Sequence, residues 1–164
     1  MIIEKKFQEL ADIFFRQGEG TPGGSSLAIF QNGEPVLSVW QGQAKENKPW
    51  NAETVSVIFS CTKGLSSLLA HRLLQDGRLD LDQKVSHYWP EFAHEGKQDM
   101  PVKWLLQHKA GLSATLNDLT LDQITDGHTV ENELARQEPL WEPGTAHGYH
   151  ALTFGTLVGK LAHN

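Results

Sequence analysis

The feature that most constrains this chain is the step at residues 55–75. Val55-Ser56-Val57-Ile58-Phe59 is a short apolar run of strand character. Directly after it, Ser60-Cys61-Thr62-Lys63 opens a stretch in which Leu65, Leu68, Leu69 and Leu73 recur at helical spacing. The pattern predicts a strand passing into a helix with one leucine face, closed by Asp76-Gly77. At such a junction the first helical N–H groups lack partners and the helix dipole is positive. A developing oxyanion is stabilised in that setting. Lys63 follows Ser60 by three residues, so one helical turn returns its amine over the serine hydroxyl. A serine becomes a nucleophile only beside a base, and this spacing supplies one. Taken as letters, Ser-x-x-Lys is common, and Ser60 as a helix cap with Lys63 in solvent is the structural alternative.

Elsewhere the pattern is that of a mixed α and β chain. Phe7, Leu10, Ala11, Phe14 and Phe15 predict an amphipathic helix stopped by Gly18 and Gly20. Gly18-Glu19-Gly20-Thr21-Pro22-Gly23 matches a dinucleotide fingerprint by letters. It follows a helix and precedes a strand, the reverse of the required order, and is therefore a loop. Residues 26–30 and 35–40 predict two strands joined by an Asn32-Gly33 hairpin turn. Residues 42–54 form a polar loop carrying Trp50. Short helices are expected over 101–106 (ended by Gly111), 116–124 and 130–136, and a last helix over 152–162.

Composition narrows the function classes. The chain has 164 residues, enough for one domain with a core, and a net charge of -6, which disfavours nucleic acid as a partner. Cys61 is the single cysteine, so there is no disulfide framework. The N-terminus shows no apolar leader and no run reaches membrane-spanning length, so a cytoplasmic location is expected. His147 and His150 could share a face, but no zinc motif accompanies them, and Asp118, Asp122 and Asp126 have helical rather than calcium-loop spacing. Cys61 lies about 100° of helical rotation from Ser60 and is expected to be a small packing residue. No metal and no cofactor are expected.

Five ordered segments together resemble the serine β-lactamase and penicillin-binding-protein superfamily, nearest its class C-like branch and the family VIII carboxylesterases. They are Pro22-Gly23-Gly24 with the Asn32-Gly33 hairpin; Phe59-Ser60-Cys61-Thr62-Lys63-Gly64; Asp76-Gly77-Arg78-Leu79-Asp80-Leu81-Asp82; Leu105-Leu106-Gln107-His108-Lys109-Ala110-Gly111-Leu112; and Trp141-Glu142-Pro143-Gly144-Thr145 leading to Tyr149. The resemblance implies an α+β fold of β-lactamase/transpeptidase type, with residues 1–164 forming the N-terminal portion of one catalytic domain. The N-terminal hairpin and the helical region would be present, and the C-terminal strands would lie outside this sequence. It implies Ser60 as nucleophile, Lys63 as the amine that takes the serine proton or tunes the next base, and Tyr149 as the group sharing the proton work.

The sequence departs from the family at two points. The family's Tyr-x-Asn is here Tyr149-His150-Ala151, with no side-chain amide at Ala151. The family's third motif, Lys-Thr-Gly or a His- or Trp-led variant, does not occur in these residues. His150 and Ala151 are the expected substrate-binding positions, with His150 at the site entrance. The expected activity is ester hydrolysis through an acyl-enzyme on small acyl esters, in preference to lactams. The alternatives are a non-catalytic truncated fragment or ligand-binding module of the same fold, or a penicillin-binding or peptidase-type protein. The expected partners are a small ester, with a second copy or a complementing C-terminal segment covering the exposed edge of residues 26–31. No membrane partner is expected.

Overall fold

The computed structural model describes residues 1–163 and divides the chain into two compact units, Met1–Val57 and Ile58–Asn164. The first unit is an antiparallel sheet with one helix. Strands β1 (Ile2–Ile3), β2 (Gly24–Gln31), β3 (Glu34–Lys45) and β4 (Lys48–Pro49) are arranged with β3 pairing with each of the others. Helix α1 (Gln8–Gly18) lays Phe14 and Phe15, with Phe7 just before it, against Leu37 and Val39 of β3, with Ala11 buried at the contact. The hairpin turn falls where expected: Asn32 and Gly33 have φ of 54° and 86°. That is the left-handed pair a two-residue hairpin needs, and asparagine and glycine are the residues that tolerate it. The expected polar loop at 42–54 is instead partly strand. β3 continues to Lys45 and turns back through Asn47, at φ 55°, into β4. Backbone pairing across the turn, Gln43 with Pro49, overrides the polar composition. Among the described residues β2 pairs only with β3, which leaves its other edge without a strand.

The second unit is helical. Helix α2 (Thr62–Gln75) packs on α7 (Thr153–Ala162), with α3 (Val85–Tyr88), α4 (Val102–Leu106) and α6 (Thr129–Arg136) around one core. Fully buried Val85, Phe92, Leu105, Leu112, Leu134 and Leu157 anchor it. α2 ends as expected, Gly77 and Arg78 N–H bonding back to Leu74 and Leu73 carbonyls.

Four expectations change here. Residues 55–58 are not a strand: Val55 is 92% and Val57 73% exposed, and no described residue pairs with them. An apolar run becomes a strand only when a neighbour satisfies its backbone. Helix α4 ends at Leu106, but the residue that stops it is His108 rather than Gly111, because His108 itself takes the left-handed conformation, φ 57°. The expected helix over 116–124 shrinks to α5 (Leu121–Thr125), begun by a reciprocal Thr120/Gln123 capping box. Asp126 leaves that helix face to accept the His128 and Thr129 N–H groups at 2.8 Å each, opening α6. A bond from the Thr129 hydroxyl, and then these two backbone bonds, hold its carboxyl down at about 2.

Candidate active site

The candidate nucleophile sits on strained backbone. Ser60 lies in a single 3-10 turn, Phe59–Cys61, that runs directly into α2. Phe59 before it has φ 43°, an unusual value for a bulky residue. The turn closes through Cys61 N–H to the Ile58 carbonyl at 3.1 Å. Ser60 is thus presented on a tight exposed corner ahead of the helix rather than at the end of a strand. The helical phase of α2 then does what the spacing predicted. Lys63 Nζ donates to Ser60 Oγ at 3.1 Å and to the Ala151 carbonyl at 2.6 Å.

That second bond joins two segments 88 residues apart and sets where Tyr149 stands. The Tyr149 ring lies 4.9 Å from Lys63 Nζ, and its hydroxyl is hydrogen-bonded to the Ser60 and Lys63 side chains. The bond with Ser60, then the bond with Lys63 and its charge, hold the phenol below its ordinary value. Ser60, Lys63 and Tyr149 therefore form one hydrogen-bonded cluster. Ser60 and Lys63 line an open cleft of about 250 Å³ together with Ala151, Leu152 and Phe154.

The loop carrying Tyr149 is built from the Trp141 segment and the His108 segment. Gly148 N–H donates to the His108 carbonyl at 3.1 Å. A side chain at Gly148 would collide with the Trp141 ring, whose nearest atom lies 2.4 Å from an added Cβ. A residue larger than glycine would push the loop, and Tyr149 with it, off this position.

His150 is not the expected substrate contact. It is fully buried, Nε2 accepting from Leu112 N–H at 3.0 Å and Nδ1 facing the Gly148 carbonyl at 2.7 Å. Burial pushes it below the ordinary histidine range, so the ring is neutral with its proton on Nδ1. It is an internal staple, and the period-three spacing to His147 carried no ligand meaning. Among the described residues no group of histidine, cysteine and acidic side chains is placed to hold a metal. Ala151 does reach the cleft, through its carbonyl bond to Lys63. Cys61 is exposed rather than packed. Sequence reasoning passed over His108, whose ring lies 5.1 Å from that of Tyr149. The signal that could have found it was its place inside the Leu-Leu-x-His-x-x-Gly-Leu segment.

A serine on a strained turn, a lysine one helical turn on and a tyrosine beside both is the arrangement that the resemblance to the serine β-lactamases led one to expect. Residues 4–164 match the Beta-lactamase family, and the chain belongs to it. It is 39% identical over 142 residues to the esterase/beta-lactamase LipL of Mycobacterium tuberculosis, covering 85% of this chain and 33% of that protein. The solved penicillin-binding protein homolog of Caulobacter crescentus superimposes with a TM-score of 0.94 at 33% identity, covering 99% of this chain and 45% of the other. A family VIII carboxylesterase gives 0.91 at 34%, with the same two coverages. The α+β fold is that of these proteins. The chain spans a third of the length of LipL and under half of each solved chain.

Proposed function

We propose that these residues carry the nucleophile and the proton-transfer groups of a serine hydrolase that cleaves small carboxylic esters through an acyl-enzyme. The observation behind the reading is the Ser60–Lys63–Tyr149 cluster, with the phenol below its ordinary value. In this reading Ser60 Oγ attacks the ester carbonyl carbon while its proton passes to Tyr149. Lys63, donating to both oxygens, stabilises the phenolate. Collapse of the tetrahedral adduct breaks the ester C–O bond, and the leaving alcohol takes the proton from Tyr149. Water then attacks the acyl carbon, giving its proton to Tyr149, and the acid leaves as Ser60 is reprotonated. The Ser60 N–H contributes one oxyanion donor. A second donor, and cover for the exposed leucines of α2, would come from polypeptide of the kind the longer relatives carry. That would make residues 1–164 the N-terminal portion of one catalytic domain. A cytoplasmic setting remains part of the proposal; no described helix is long and apolar enough to cross a membrane.

Ester preference rests on Ala151. Its side chain has no amide to bind a lactam's amide group, and its carbonyl is already taken by Lys63. The complete gene product should therefore hydrolyse short aryl esters with a kcat/KM far above that for a chromogenic cephalosporin. Ser60→Ala should abolish labelling by a fluorophosphonate, and Lys63→Ala or Tyr149→Phe should lower turnover by roughly 10² or more. Labelling that persists in Ser60→Ala removes the nucleophile. Equal activity on both substrates removes the argument from Ala151. The rival reading, a non-catalytic member of the fold, is favoured by the open cleft and the short coverage. It predicts no labelling in the complete gene product.

A further inference from the structure

We infer that His108 is the positioning residue for Tyr149, an inference that rests on the catalytic reading of Tyr149. Three contacts carry it. The His108 carbonyl accepts from Gly148 N–H at 3.1 Å, and its Nδ1 accepts from His150 N–H at 3.1 Å. Tyr149 is thus held by its two neighbours, both tied to one residue. The third contact is ring to ring, with centroids 5.1 Å apart and planes inclined at 59°. The far side of His108 rests on Phe154 of α7, centroids 5.0 Å apart, which keeps the imidazole from turning away.

His108 reaches this position only by leaving helix α4 in the left-handed conformation, φ 57°. A side chain in that conformation is strained unless its surroundings hold it there. Here the strain is offset by the bonds to the Tyr149 loop, so the turn and the loop specify each other.

The contacts require a neutral ring. Nδ1 must be bare to accept from His150, which places the His108 proton on Nε2. The titratable groups facing it are Lys63 from α2 and His147, Tyr149 and His150 from the loop before α7. Burial, then His147 and Lys63, hold His108 below the ordinary histidine range. Protonation would set a donor against the His150 N–H and add a positive charge beside Lys63. The Tyr149 loop then loses one of its two tethers, and phenol and serine separate.

Two variants of the complete gene product test this, read by kcat and KM on a short aryl ester from pH 5 to 9. His108→Asn keeps an acceptor near Nδ1 and tolerates the left-handed backbone, but does not titrate. Its kcat at pH 8 should stay within about threefold of the parent, and the acid-side fall assigned to His108, below pH 6.5, should be absent. His108→Phe keeps an aromatic ring and loses the acceptor. It should lose about tenfold or more in kcat with KM changed less than about twofold, since Tyr149 acts on the reaction rather than on binding. Two results overturn the inference: an unchanged acid limb in His108→Asn, or parental kcat in a folded His108→Phe. If His108→Phe does not fold, the acid limb of His108→Asn decides alone. Near-full turnover in Tyr149→Phe would instead sink the catalytic reading and leave the His108 contacts purely structural.

Discussion

Replacing His150 by phenylalanine should be among the more destabilising single changes in the helical unit. The ring is fully buried and makes two backbone bonds, from Leu112 N–H at 3.0 Å and to the Gly148 carbonyl at 2.7 Å. Phenylalanine is somewhat larger and keeps an aromatic ring against His108 and Trp141, so no cavity forms. What it removes is one acceptor and one donor. Each buried backbone group left without a partner costs about 1–3 kcal/mol, so the change should cost about 2–6 kcal/mol. Urea denaturation of the complete gene product measures this as a fall in midpoint at constant slope. The pH dependence should move with it. The folded value of His150 lies below that of the unfolded chain, so the stability tied to its neutral ring is whole above pH 6.5. It is lost as the pH falls through 6.5 towards the folded value. In the phenylalanine variant that slope should shrink, leaving the part owed to His108, which is depressed in the same sense. A loss below about 1 kcal/mol together with a raised KM would refute the reasoning, because the ring would then be meeting substrate rather than backbone.

Lys97 offers a second test: it is fully buried against Phe92, donates to the Gln137 carbonyl at the end of α6, and is lowered by burial to about 8. Its folded value lies below the unfolded one, so stability should rise as the pH goes from about 8 to 10.5; denaturation midpoints across that range should lose this slope in Lys97→Met, and an unchanged slope would clear Lys97. Leu65, Leu68 and Leu69 are 60%, 66% and 50% exposed, and one edge of β2 has no strand beside it among the described residues, so residues 1–164 alone should self-associate or be marginally stable in sedimentation velocity, with little esterase activity. A well-behaved monomer with full turnover would show that no further segment or second copy is needed. Trimming the Ala151 carbonyl contact through Lys63→Met should slow fluorophosphonate labelling of Ser60 by roughly 10² or more, and an unaffected rate would remove Lys63 from the proton pathway.

Local order accounts for what was legible in the residues alone. The Asn32-Gly33 turn, the glycine close of α2 and the three-residue step from Ser60 to Lys63 are set by dihedral preference and helical pitch, which act within a few residues. Each therefore appears in the structure as the sequence implies. The position of Tyr149 is of another kind. Its motif could be picked out, but its contact with Ser60 exists because α7 packs on α2 and Lys63 bonds to Ala151, 88 residues away. The same holds for His150, whose letter suggests a polar contact with substrate until burial shows both nitrogens spent on backbone. It holds for residues 55–58, apolar enough for a strand but without a pairing partner among the described residues. Pitch and turn chemistry are paid within one segment and can be recognised there. Which buried polar group meets which, and which apolar run finds a neighbour, depends on segments far apart in the chain, and only the packed core decides it.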